Sequence, residues 1–174
     1  MTVGSITERL NAPTGSFYHR FASRDALLGE LWLQTVLDFQ QGTTAALDAG
    51  DGLAAALHTP AWVREHLEEG RLLLLYHRND FVQGEWPQAL RDRVAAQSER
   101  MANGFARAAR LIFGRAGPGE IRRTQFLLAE VPVAAVRQHL ERRELPPPIV
   151  DDLIRVTYRA VVDEHRTKTR SDAG

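Results

Sequence analysis

Cysteine is absent from this 174-residue sequence. That excludes disulfides, thiolate nucleophiles and cysteine-ligated zinc, although it does not decide the compartment. Long apolar runs are missing as well: Leu72–Leu75 followed by Tyr76 falls far short of the roughly 20 residues a membrane span needs. The opening MTVGSITERL has no apolar signal core, so no membrane partner and a cytoplasmic location are expected. No sign of charge dominates, because 22 basic and 22 acidic side chains cancel, which argues against a wholly basic nucleic-acid binder. Lys168 is the only lysine. Such a bias usually follows from GC-rich coding, and it weakens any reading of each arginine as a chosen phosphate or carboxylate contact. Period-two alternation long enough for a strand is also missing, which leaves helix as the reading for almost every segment.

What is present describes an ordered, all-α protein. Hydrophobic residues make up 44% and charged residues 25%, a balance that separates the chain from disordered sequences. The length allows a small head on a larger helical body, which we divide into residues 1–45 and 46–174. Short helices are predicted over Val3–Leu10, capped by Thr2, and over Thr14–Phe21, with the turn Asn11-Ala12-Pro13 between them. Ser23 caps a third helix that runs to the Gly50-Asp51-Gly52 turn. Thr59-Pro60 is expected to open the next, with Gly70 breaking or bending it. Pro87 opens a long amphipathic helix carrying Leu90, Val94, Met101, Phe105, Ala109 and Ile112. After a Gly/Pro-rich link at 114–119, two helices follow, from Glu120 to Arg143 with an interruption at Pro132 and from Pro148 to His165. The tail from Thr167 is expected to fray.

The first two helices form a helix-turn-helix, in which the second helix enters the major groove. As a bare pattern this is common; the residues make it specific. The run from Ile6 to Phe21, Ile-Thr-Glu-Arg-Leu-Asn-Ala-Pro-Thr-Gly-Ser-Phe-Tyr-His-Arg-Phe, continues as Ala22-Ser23-Arg24-Asp25-Ala26-Leu27. It closely resembles the signature of the tetracycline-repressor (TetR) family. That signature has an Ile-Ala start, a Gly-Val-Ser turn, Gly-Thr-Leu-Tyr, a His-Phe pair and Ser-Lys-Glu-x-Leu. The physics of the segment agrees. Ile6, Leu10, Phe17 and Phe21 can form a miniature core closed by Leu27 and Leu28, and Gly15 keeps the second helix slim for approach to DNA. Thr14 and Ser16 offer small hydroxyls to base edges, and Tyr18, His19 and Arg20 put donors beside the phosphates. The resemblance implies base contacts from Thr14 and Ser16, and phosphate contacts from Tyr18, Arg20, Arg24 and, at the head of its helix, Thr2.

Three departures from the family pattern stand out. Asn11 and Pro13 replace the usual Gly and Ser of the turn, and Arg20 stands where histidine is common. More seriously, the family has an amphipathic helix of roughly twenty residues ahead of the position of Thr2, and here that first helix is missing. Without it the apolar face of Ile6, Leu10 and Phe17 is partly uncovered, at a cost of several kcal/mol at about 25 cal/mol per Å². Either the start of the chain is placed too late in the gene, the reading we favour, or this product binds DNA poorly.

The resemblance also covers the body in a general way. The segments around Phe126–Val136 and Ile149–Val162 are too apolar for a single buried face, and in the family this terminal pair forms a four-helix interface with a twofold mate. A homodimer is therefore expected, with two heads about 34–36 Å apart reading a palindromic operator in double-stranded DNA. Family bodies enclose a cavity for a small-molecule effector. Candidates for its lining are Trp62, His66, Tyr76, Trp86, Met101, Phe105 and Phe126, each of which could equally be ordinary core.

Enzymatic readings are weak. His66-Leu67-Glu68-Glu69 lacks the second histidine of a zinc protease, and His139 and Glu141 sit among arginines as on a solvated face. There is no nucleophile elbow or Gly-rich phosphate loop. No catalytic residue, metal or cofactor is expected. The sequence thus points to an effector-released transcriptional regulator, with a ligand-binding dimer that has lost DNA binding as the alternative.

Overall fold

The computed structural model describes residues 24–75 and 86–171. The helix-turn-helix expected before residue 24, with Thr2, Thr14, Gly15, Ser16, Tyr18, His19 and Arg20, lies outside the described residues, as do Tyr76 and the side chain of Arg24. The chain is all-α. Its described elements are α1 (Arg24–Asp48), α2 (Gly52–Glu65), α3 (Leu67–Leu75), α4 (Gln88–Phe113), α5 (Pro118–Gln125), a π-helical turn (Phe126–Glu130), α6 (Val131–Arg142) and α7 (Ile149–Ser171). None of them is long and apolar enough to cross a membrane.

Local chemistry moves several helix ends away from the positions expected. α2 starts at Gly52 rather than at Thr59-Pro60, because the Asp51 carboxylate accepts from the N–H of Ala54 at 2.8 Å and caps the helix there. Pro60 is carried inside the helix, buried in the core. The break before the leucine run falls at His66, whose φ and ψ of −131° and 57° leave the helical region, while Gly70 lies buried within α3. Pro87 does precede a long helix, α4.

The interruption expected at Pro132 takes the form of the π turn just ahead of it, where the N–H of Val131 reaches back to the carbonyl of Phe126. A proline supplies no N–H and crowds the carbonyl four residues earlier, here that of Leu128. Widening the helix over Phe126–Glu130 accommodates both effects. The Arg122 guanidinium bridges this turn to Glu130 at 2.5 and 3.0 Å. The last helix runs to Ser171, beyond the expected end at His165. Its final turns gain the Glu164–Lys168 pair at 2.7 Å and a bond from the Thr167 hydroxyl to the carbonyl of Asp163.

The main core gathers α2, the α5–α6 segment and α7 around Val63, Leu127, Val136, Leu140 and Ile154, all fully buried. Ala55 and Ala56 keep α2 narrow near its start, and α1, α4, α6 and α7 all pack against α2. A second, smaller cluster of Leu33, Trp86 and Leu90 ties the start of α4 to α1. At that crossing a Cβ on Gly29 would come within 2.6 Å of the Leu90 Cδ2, so the absence of a side chain lets the helices touch.

Candidate functional site

Beyond the Gly29 crossing, α1 and α4 are lined by side chains that leave space between them. α4 presents Val94, Gln97, Ser98, Met101, Ala102 and Phe105, a set spaced by three and four residues and therefore on one face. α1 presents Trp32, Leu33, Val36, Phe39 and Gln40 by the same rule. Leu73 and Leu74 of α3 and Gln125 at the end of α5 complete a cavity of about 510 Å³. That volume is within the range of small-molecule sites. Its wall is apolar apart from three amides and the Ser98 hydroxyl, which donates to the Val94 carbonyl of its own helix at 3.0 Å.

The side-chain amide of Gln97 donates to the carbonyl oxygen of Gln40 and so bridges α4 to α1. Gln40, Gln97, Met101 and Phe105 also line a second space of about 540 Å³ on the far side of that bridge. There Asp48, Arg100 and Arg107 contribute to a wall that is otherwise largely apolar, and Arg107 pairs with Asp48 at 3.5 Å with both side chains largely in solvent. The two spaces share one partition, and among the described residues charged side chains reach the wall on one side of it only.

Among the ligand candidates read from the sequence, Met101 and Phe105 come together in this partition. Trp62 and His66 stack at 4.8 Å and face a different groove, on the opposite side of α1, with Asp38 and Gln41. The Trp62 indole N–H donates to Asp38 at 2.9 Å while its ring is buried in the main core, so its polar tip and apolar body are both satisfied by the fold. Trp86 packs on Trp32 at 5.9 Å in the second cluster, next to the cavity but not in its lining. Phe126 is 39% exposed, and it is its neighbour Gln125 that reaches the wall. The lining from α1 and α3 was not singled out by sequence reasoning. A signal existed in the glutamines at 40 and 97, polar residues set into otherwise apolar helix faces.

The wall of α1 is anchored from behind by His58 of α2. Its Nε2 lies 2.6 Å from the carbonyl of Phe39, and its ring fills the notch left by Gly42, where an added Cβ would sit 2.2 Å from the His58 Cε1. The resolved pKa shifts fall elsewhere. Burial raises the Tyr158 phenol, assisted by the charge of Asp51. At Glu120, burial pushes the carboxyl upward, but the Arg115 hydrogen bond and the charges of Arg115 and Arg123 outweigh it and leave the group below its usual range. Neither residue lines the cavity.

The outer face of α7 carries an apolar stripe. Ile149, Leu153 and Val156 are more than half exposed, and Ala160 continues the same line at helical spacing. The inner face, with Val150, Ile154 and Val162, belongs to the main core. Comparison of the chain with protein-family models, with curated proteins and with solved structures found no match.

Proposed function

We propose that this chain is a ligand-responsive, DNA-binding transcriptional regulator of tetracycline-repressor type, acting as a homodimer and released from its operator by a small molecule. The observation that carries the reading is the position of the cavity. One wall is α1, the helix that continues directly from the residues resembling the family's DNA-binding signature. A ligand pressed against Val36, Phe39 and Gln40 therefore acts on the segment that leads into the head. In this mechanism the ligand binds one spacing of the two heads better than another, and the operator selects the other spacing. The exposed stripe Ile149, Leu153 and Val156 supports a second copy packing against α7, since a contiguous apolar helix face is what a twofold partner covers.

A second reading draws on the same observations. The cavity and the apolar stripe both lie within residues 24–171, so a ligand-binding dimer without DNA-binding activity needs nothing from the head. A gel-shift of this chain, beside a form extended upstream, against DNA flanking its gene separates the two. The regulator reading expects a discrete shifted fragment from at least one form. Failure of both forms, while folded and dimeric, in that assay and in a genome-wide binding selection would remove DNA binding and leave the second reading.

A further inference from the structure

Charge is absent from the described wall of the α1–α3–α4 cavity, although a quarter of the chain's residues are charged. Its polar groups are correspondingly few. The Ser98 proton is committed to Val94, and Gln40 and Gln97 commit one acceptor and one donor to each other. Left over are the amide N–H groups of Gln40, the carbonyl oxygen and second N–H of Gln97, and, apart from that bridge, the amide of Gln125. These groups have no other hydrogen bond among the described residues, and both bridging glutamines are half-buried. An ammonium or carboxylate in this space would find no opposite charge among the described residues to offset the water it gives up, which is unfavourable. A hydroxyl, carbonyl or amide group would instead find both a donor and an acceptor at one place on the wall. Ions have an alternative on the other side of the partition, beside Asp48, Arg100 and Arg107.

We infer that the cavity selects an uncharged, mainly apolar molecule bearing one hydroxyl, carbonyl or amide group, and that Gln40 and Gln97 determine that selectivity. The apolar body lies against Val36, Phe39, Leu73 and Leu74, and the polar group meets the amide bridge. The inference rests on reading this cavity as the effector site.

The test uses the full chain and a neutral fluorescent probe, N-phenyl-1-naphthylamine, displaced by decan-1-ol and by decanoic acid across the range from pH 6 to pH 8. Decan-1-ol is expected to displace the probe equally well throughout. Decanoic acid is expected to weaken about tenfold per pH unit, because only its neutral form enters. A decanoate affinity that levels off with rising pH means that the anion is accepted and overturns the inference; so does the lack of saturable probe binding. Val36→Trp fills the cavity and is expected to abolish probe binding, and undiminished binding would put the site elsewhere. Gln97→Leu is expected to weaken decan-1-ol at least fivefold while leaving the probe within threefold. An unchanged decan-1-ol affinity removes the amide pair from recognition. Should that variant not fold, Gln97→Glu serves instead and is expected to turn the preference toward decylammonium; no gain for decylammonium overturns the role of the pair. Selective binding of decan-1-ol with no effect on any DNA complex leaves the selectivity standing and removes the regulatory reading. Release of DNA by the ions alone does the reverse.

Discussion

Arg64 engages both carboxylate oxygens of Asp151, at 2.8 and 3.1 Å, while the same guanidinium donates to the backbone carbonyls of Pro146 and Pro147. One side chain at the end of α2 thereby holds the α6–α7 connection and the first turn of α7. The pair is about three-quarters buried, so solvent screens it less than a surface ion pair.

Replacing Arg64 by Ala removes these bonds together and leaves two carbonyls and a carboxylate short of donors. We expect a loss of about 2 kcal/mol in urea unfolding. Arg64→Lys should restore little, since an ammonium cannot serve a forked carboxylate and two carbonyls at once. A change below about 0.5 kcal/mol for Arg64→Ala would mean that packing of the proline loop holds it unaided.

Gly42 and Gly104 offer a matched pair of helix glycines with opposite surroundings. An alanine methyl at Gly42 collides with the His58 ring, whereas at Gly104 nothing lies within 4 Å of the added carbon. Gly42→Ala should therefore destabilise by about 1–3 kcal/mol through overpacking. Gly104→Ala should stabilise by about 0.5–1 kcal/mol through lower backbone entropy of the unfolded chain. Thermal melts of the two variants check the difference in sign.

The carboxyl of Glu120 is almost fully buried and sits below its usual pKa because Arg115, at 2.9 Å, and Arg123 favour its charged form over the opposing effect of burial. A folded-state value below the unfolded one gives stability that is present above the unfolded pKa and lost as pH falls through the folded one. The stability gap between the native chain and Glu120→Gln should therefore be widest near neutral pH and narrow below about pH 4.5. A gap that stays constant from about pH 6 to about pH 3 would assign the effect of the variant to lost packing alone.

If a second copy covers α7, a charge placed in its exposed stripe blocks association without touching the core. Leu153 is 58% exposed, so Leu153→Glu should keep the helical signal and melting of the isolated chain. In sedimentation it should move the species from twice the 19.5 kDa chain mass to the chain mass itself. A variant that sediments as the native chain does would exclude this face as the dimer contact.

The helical class and most of the helix order were legible from the 3.6-residue recurrence of apolar positions, as in Leu90, Val94, Met101 and Phe105. Helix ends were less so. Pro60 looks like an opening residue, and only the competing Asp51 cap nine residues ahead of it makes it an interior one. The π turn follows from Pro132, but sequence gives no rule for whether the helix kinks, stops or widens. Of the site, Met101 and Phe105 could be read from their place on an amphipathic helix. Trp62 could not be told from core, because a large aromatic with one polar atom suits either role until the partner of that atom, Asp38, is known.

α1 is also a lever. At 1.5 Å per residue its 25 residues make a rod of roughly 38 Å, seated against α2 where the ring of His58 fills the notch at Gly42. Arg24, at the end that leads to the head, lies roughly 27 Å along the rod from that fulcrum, and Gln40 lies beside it. A tilt of about 5° at the notch displaces the Arg24 end by roughly 2 Å. A sub-ångström shift at the amide bridge would be magnified along the helix only if the start of α4, held to α1 at Gly29 and Leu33, moved with it.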